Sequence, residues 1–205
     1  MNKTKQRIVD TALHLFNSQG LSKVTLRTIA KEMGISQGNL NYHYKKREDI
    51  IEEIYFRLVK EMDENMSKMK ESQIGLPLMA DISASVMKNS FKYRFFFLDF
   101  SLIIRENNKI RKHYKALVEI RELQILSLFE LMVQSGLLRS EQLPNEFKNL
   151  YKRFQIFGDF WMASAKIEKE QISEKTIDQY LEMIIQSIYP YLTAKGIKQY
   201  NSLNL

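Results

Sequence analysis

Gln37 and Asn39 stand two residues apart, and each carries a donor and an acceptor on one amide. That pairing suits bidentate contact with an adenine edge. Tyr42 and His43 follow within two turns, followed at once by Lys45, Lys46 and Arg47. Hydroxyl, imidazole and cationic groups in that order can donate to phosphate oxygens, which fix register without reading sequence. Thr25 and Arg27 lie ten to twelve residues upstream and could add one phosphate contact and one base contact. The chemistry on offer is recognition of a nucleic-acid duplex by hydrogen bonds.

These side chains need helices to present them. Ile8, Ala12, Leu15 and Phe16 form an apolar stripe at helical spacing, closed by Gly20 as a C′ residue. Thr25 is the expected N-cap of a second helix carrying Ile29, Ala30 and Met33 and stopping at Gly34. Ser36 then caps a short third helix from Gln37 to about Tyr44. Two helices separated by Gly34-Ile35-Ser36 match a helix-turn-helix, whose second helix enters the major groove by its N-terminal residues. Gly38, inside that helix, weakens it by about 1 kcal/mol relative to alanine. Two reasons stand open: close approach of the backbone to DNA, or a tight helix–helix crossing.

Further on, helical periodicity persists and no stretch alternates as a strand would. A fourth helix is expected from Arg47 to about Lys70, with Glu48 and Asp49 at its positive end. Gln73–Pro77 breaks the pattern and Pro77 opens a fifth helix. Others are expected at about 91–106, 108–135 and 144–168. The last runs from Ser173 to about Thr193, with Pro190 as a kink or stop and Gly196 beyond it. The expected fold is all-α with about nine helices: a three-helix DNA-binding headpiece over residues 1–50 and a helical regulatory and dimerisation domain over 51–205.

Charge agrees with that division. Residues 1–47 hold nine Lys/Arg against Asp10 and Glu32, while residues 48–205 hold 22 of each sign, so the whole excess of +7 lies at one end. A polyanion partner there would explain it; so would a basic surface without a partner. With no cysteine in the chain, disulfides, thiolate zinc sites and cysteine nucleophiles are excluded. The longest apolar run, Phe95–Ile104, is ten residues interrupted by Asp99, half a membrane span. His14, His43 and His113 are the only histidines and show no ligand-pair spacing; neither a glycine-rich phosphate loop nor a Gly-x-Ser-x-Gly elbow occurs. Neither an enzyme, a metal site nor a cofactor is expected, and the chain reads as cytoplasmic.

The segments Thr25-Leu26-Arg27-Thr28-Ile29-Ala30 and Gly34-Ile35-Ser36-Gln37-Gly38-Asn39-Leu40-Asn41-Tyr42-His43-Tyr44-Lys45-Lys46-Arg47-Glu48-Asp49-Ile50 resemble the headpiece of the TetR family of bacterial transcriptional regulators. The resemblance covers about residues 5–55. It implies an all-α homodimer with one headpiece per subunit, binding a double-stranded operator, repressing by default and answering to a small-molecule inducer through the C-terminal domain. It also implies that Thr25, Arg27, Gln37, Gly38, Asn39, Tyr42, His43 and Arg47 lie at the DNA, with Lys46 beside them. Where the family commonly has tyrosine this chain has Asn41, exchanging an aromatic phosphate contact for an amide that could read a base edge.

The C-terminal domain carries one conspicuous acid. On a continuous helix the neighbours of Asp99 are Phe95, Phe96, Leu102 and Ile103, all apolar, so its carboxylate needs a partner or a task. One reading is a ligand pocket with Phe96, Asp99, Phe100, Tyr114 and Trp161 as walls. The other is an internal ion pair with an arginine. Apolar seams on the last two long helices, Phe147 to Ala165 and Ile177 to Tyr191, suit core or a subunit interface alike. The resemblance favours dimerisation there, and Gly158 and Ala165 would allow close helix approach. A helical adaptor without DNA selectivity is the competing reading.

Overall fold

The structure is a computed structural model in which residues 3–68 and 73–203 are described. Among them lie eleven α-helices and no strand. The headpiece comprises α1 (Lys3–Gln19), α2 (Leu26–Glu32) and α3 (Gln37–His43), and α4 (Arg47–Lys68) leads out of it. The expected end of α4 near Lys70 lies outside the described residues. There follow α5 (Leu76–Lys92), α6 (Arg94–Leu98), α7 (Phe100–Glu106), α8 (Asn108–Gln134), α9 (Glu146–Glu168), α10 (Glu174–Gln186) and α11 (Ala194–Tyr200). No helix is long and apolar enough to cross a membrane among the described residues.

Local sequence explains most boundaries. Gly20, Gly34 and Gly136 adopt positive φ after α1, α2 and α8, the left-handed cap that glycine takes without strain. Pro77 occupies the first turn of α5. Ser173 and Thr176 form a reciprocal capping box on α10.

Two expectations fail. The single helix over 91–106 is three pieces: the end of α5, then α6 and α7, with Asp99 as the junction. Phe95, Phe96, Phe97 and Phe100 are all buried. One straight helix buries a single stripe, so three consecutive inward phenylalanines require the axis to turn. The last helix ends at Gln186, Pro190 sits in a 3₁₀ turn at Tyr189–Tyr191, and an unforeseen α11 follows. Gly196 lies inside α11, where a Cβ would clash with the Leu137 carbonyl oxygen.

The main hydrophobic cluster does not stop at the headpiece. It runs from Ile8, Phe16 and Leu40 through Ile54 and Leu58 to Phe95, Phe100, Trp161 and Ile177, and Phe16 stacks on Phe95 at 4.9 Å. A second cluster at the far end joins Leu76, Phe129, Leu138, Leu150 and Ile188. The headpiece therefore shares its core with the regulatory helices.

Candidate nucleic-acid interface

The helix-turn-helix is built from three small devices. Thr25 and Thr28 form a reciprocal capping box at the start of α2. At its end the amide N–H of Ile35 donates to Ala30 O at 3.0 Å and that of Gly34 to Lys31 O at 3.1 Å, a Schellman turn around the positive φ of Gly34. The Ser36 hydroxyl accepts from Asn39 N at 3.1 Å, capping α3. Capping of this kind is worth about 1 kcal/mol per site, and here it fixes the angle between α2 and α3.

That angle leaves α3 on the surface. Only Leu40 of its seven residues is buried. Gln37, Gly38 and Asn39 are exposed, and Tyr42 is 81% exposed. A Cβ on Gly38 would meet nothing nearer than Ser36 Oγ at 3.9 Å, so no helix crossing inside the chain requires glycine there. Thr25, Arg27, Lys45 and Lys46 are also exposed, and His43 is half-buried, edge-on to Tyr42 at 5.2 Å.

Two expected contacts come out differently. Arg47 Nη1 donates to the carbonyls of Leu21 at 3.1 Å and Val24 at 3.3 Å, while the guanidinium pairs with Glu48 at 3.3 Å. Arg47 is thus a brace across the loop between α1 and α2, holding two of its carbonyls from the start of α4. Asp49 accepts from Lys46 N at 3.2 Å, occupying part of the positive end of α4 with the chain's own carboxylate. Among the described residues the buried amide oxygen of Asn41 has no partner, so it cannot accept from a base edge in this conformation. Tyr44 is also buried, its hydroxyl likewise without a partner among the described residues. Burial, then Glu53, pushes that phenol up to about 12.

The regulatory half rearranges the expected pocket. Phe96 and Phe100 meet edge-on at 5.7 Å, as do Phe100 and Tyr114 at 5.1 Å, all within the core. Trp161 points elsewhere, its Nε1–H donating to Ser90 Oγ at 3.3 Å and its ring against Tyr180. Asp99 is half-buried at the junction of α6 and α7; burial raises its pKa, opposed by the nearby Leu21 backbone of the headpiece. Among the described residues it joins no ion pair. Asn17 ties α1 to the regulatory helices, donating to Lys92 O at 2.9 Å and accepting from Phe95 N at 3.1 Å. A second tie comes from Arg57, which bonds Asp10 of α1 and, at 3.0 Å, the Tyr93 hydroxyl.

The buried acid that does need a partner is Asp159. It accepts from Tyr114 Oη at 2.6 and 2.7 Å and from Gln155, with no cation paired to it among the described residues, and burial raises its pKa. Phe157-Gly158-Asp159-Phe160-Trp161 shows the signal that singled out Asp99, an acid among aromatics, and it was present to be read. His113 is half-buried with Nδ1 2.9 Å from Tyr55 Oη. An apolar groove of about 470 Å³ opens between α4, α5 and α8, lined by Val59, Met66, Leu78, Ile82 and Leu117 with Arg121 at its edge. Its walls come from two consecutive helices and a third that begins only at Asn108, so no local pattern announces it.

Residues 8–54 match the family described as bacterial regulatory proteins, tetR family, and residues 57–200 match TetR, bacterial transcriptional repressor. The regulator AcrR of Shigella flexneri is 42% identical over 53 residues, 26% of this chain and 25% of that one. The match therefore spans about a quarter of that curated relative. A TetR-family transcriptional regulator from Marinobacter aquaeolei VT8 superposes with a TM-score of 0.84 at 26% identity, covering 94% of this chain and 93% of that one. The fatty acid degradation regulator FadR of Bacillus halodurans shares the fold, with a TM-score of 0.68 at 13% identity over 90% of this chain and 96% of that one. With both halves of the chain matched and the fold shared end to end, the protein belongs to the TetR family of bacterial transcriptional regulators.

Proposed function

We propose that the protein is a repressor that binds a palindromic double-stranded operator as a homodimer in the cytoplasm and releases it when a small molecule binds. The observation that carries this is the exposed first turn of α3, where Gln37, Gly38 and Asn39 stand clear of the fold at the end that enters a major groove. Gln37 and Asn39 supply adenine-reading amides. Gly38, free of any crossing inside the chain, gives the duplex room to approach. Arg27, Lys45, Lys46 and Tyr42 surround that turn as phosphate or base donors.

One seven-residue helix reads few base pairs, so two-fold pairing is the physical route to a selective site. Support for the pairing surface comes from α9, where Ile156, Phe160 and Ile167 are exposed at helical spacing, with Met183 exposed on α10. Gly158 on the same helix has open space around it. The groove between α4, α5 and α8 is the best-supported inducer site, since α4 runs from it directly into the headpiece. An inducer acts only if it binds the DNA-incompetent arrangement more tightly.

Selection of duplexes from a randomised pool, followed by titration at several salt concentrations, tests the reading. The wild type should enrich two-fold symmetric sites with half-sites about one helical turn apart and lose affinity steeply as salt rises. Gln37→Ala should relax preference at one base pair per half-site by about 1–3 kcal/mol with Tm unchanged. Arg47→Ala should lower Tm, since it strips two carbonyls of their donor, at about 1–3 kcal/mol. A wild type that binds all duplexes alike, or none, would leave a helical adaptor instead.

A further inference from the structure

A second basic cluster lies outside the headpiece. Residues 105–115 hold Arg105, Lys109, Arg111, Lys112 and Lys115 against Glu106 alone, and all six side chains are exposed. The even balance of charge over residues 48–205 conceals it. Lys109 pairs with Glu52 at 2.8 Å, and Arg111 donates to the Asn108 amide oxygen at 2.9 Å. Among the described residues, Arg105, Arg111, Lys112 and Lys115 form no ion pair.

Their place on the helix is unfavourable. Lys109, Arg111, Lys112 and Lys115 occupy the first two turns of α8, whose first turn holds no acid. The free N–H groups make that end positive, so the cations of its first turn, Lys109 and Arg111, are unfavourable there, and Lys109 is offset by Glu52. Local rules are broken in this way chiefly at functional sites.

Position supplies the second argument. Asn107 Nδ2 and Lys109 Nζ both donate to the Glu52 carboxylate, at 3.0 and 2.8 Å. Glu52 lies five residues into α4, roughly 8 Å along the axis from its start and within a Debye length of about 8–10 Å. Lys46 of the headpiece shares one surface groove with Lys109 and Lys112. Glu48 and Glu52 also line it, but they are engaged by Arg47 and Lys109, which leaves Glu106 as the remaining acid. Among the described residues Lys46 and Lys112 are the lysines of that groove outside any ion pair, so a free cation of the headpiece and one of the corner between α7 and α8 face the same groove, with Arg111 and Lys115 on the same two turns of α8.

We infer that this corner is a second DNA-contacting surface, in which Arg111, Lys112 and Lys115 hold the phosphate backbone of the duplex that α3 reads. The inference rests on the DNA reading above. It adds affinity and salt dependence and leaves sequence choice to α3, because phosphates carry no sequence information.

The test compares the full-length wild type with two triple variants, R111Q/K112Q/K115Q and K148Q/K195Q/K198Q. The second makes the same charge change at the other end of the regulatory domain. The probe is a 40-base-pair duplex that the wild type has itself selected from a random pool, titrated by anisotropy between 50 and 200 mM salt. The corner variant should lose about 0.9 in the slope of log K against log salt for each phosphate contact removed, with two or more lost per dimer. Its affinity should fall roughly tenfold or more at 150 mM salt. Its ranking of duplex sequences should stay that of the wild type, with Tm equal or higher. The distal variant should keep the wild-type slope. Equal slopes in the wild type and the corner variant overturn the inference while leaving the DNA reading intact, and so does an equal loss in both variants, which would report net charge alone. A wild type that binds no duplex removes the DNA reading and this surface together.

Discussion

Asp159 shows how a single group shapes the behaviour of the fold. Its carboxylate is buried against Tyr114 and Gln155, and burial raises its pKa above the ordinary carboxylate value. Below the unfolded-state pKa both states hold the proton, and the site costs nothing. Above the folded-state pKa both states are ionised, and the native state bears the full desolvation penalty. Stability contributed here is thus complete at low pH and is lost as pH rises through the folded value. Asp159→Asn removes that loss and keeps an acceptor for Tyr114. The variant should gain Tm relative to the wild type at pH 7.5 and gain little or nothing at pH 4, read by thermal melts across that range. A constant offset at both pH values would show that the carboxylate does not titrate in the window. The same residue-scale logic separates Arg27 from Arg47. Both are arginines in the headpiece, yet one reaches solvent and the other is held by two carbonyls.

At the scale of elements, glycines report how closely helices approach. Gly196 lets α11 settle against the end of α8, with the Leu137 carbonyl where a Cβ would stand. Gly196→Ala must push α11 away and disturb the Thr193 cap and its bond to the Leu137 carbonyl, at 3.0 Å. A loss of about 1–3 kcal/mol, typical of overpacking, should appear as a lower Tm. Gly158 on α9 has nothing within 4 Å. Gly158→Ala should therefore stabilise a monomer by up to about 1 kcal/mol through helix propensity. If that face meets a second subunit, the same change should weaken the dimer. Sedimentation of the variant separates the two effects.

For the whole molecule, the continuous core from Ile8 to Ile177 and the ties of Asn17 and Arg57 couple the headpiece to the regulatory helices. A ligand that shifts α4 or α5 therefore has a mechanical route to α3. The exposed stripe of Ile156, Phe160, Ile167 and Met183 is an apolar surface that gains from burial, at about 25 cal/mol per Å². Phe160→Glu should leave the fold intact and shift the protein to monomer in sedimentation. Affinity for a palindromic duplex should drop at least a hundredfold, because each half-site then binds alone. Retention of a dimer in that variant would move the interface off α9.

The α2–α3 module was legible almost residue by residue, since caps at Thr25 and Ser36 and the turn at Gly34 depend on neighbours within five positions. The all-α class and the helix ends at Gly20, Gly34 and Gly136 were legible for the same reason: backbone geometry and propensity act locally. Packing was not legible. The break at Asp99 arises because three adjacent phenylalanines must each find a different part of the core, and α11 exists because it covers the end of α8. Arg47 reads from its neighbours as a phosphate ligand, and folding brings the Leu21 and Val24 carbonyls to it from 26 and 23 residues away. Sequence alone determined which groups can recognise a duplex and which helix carries them. Tertiary structure decided which of those groups remain free to do so, because a side chain's availability depends on partners that only the folded chain brings within reach.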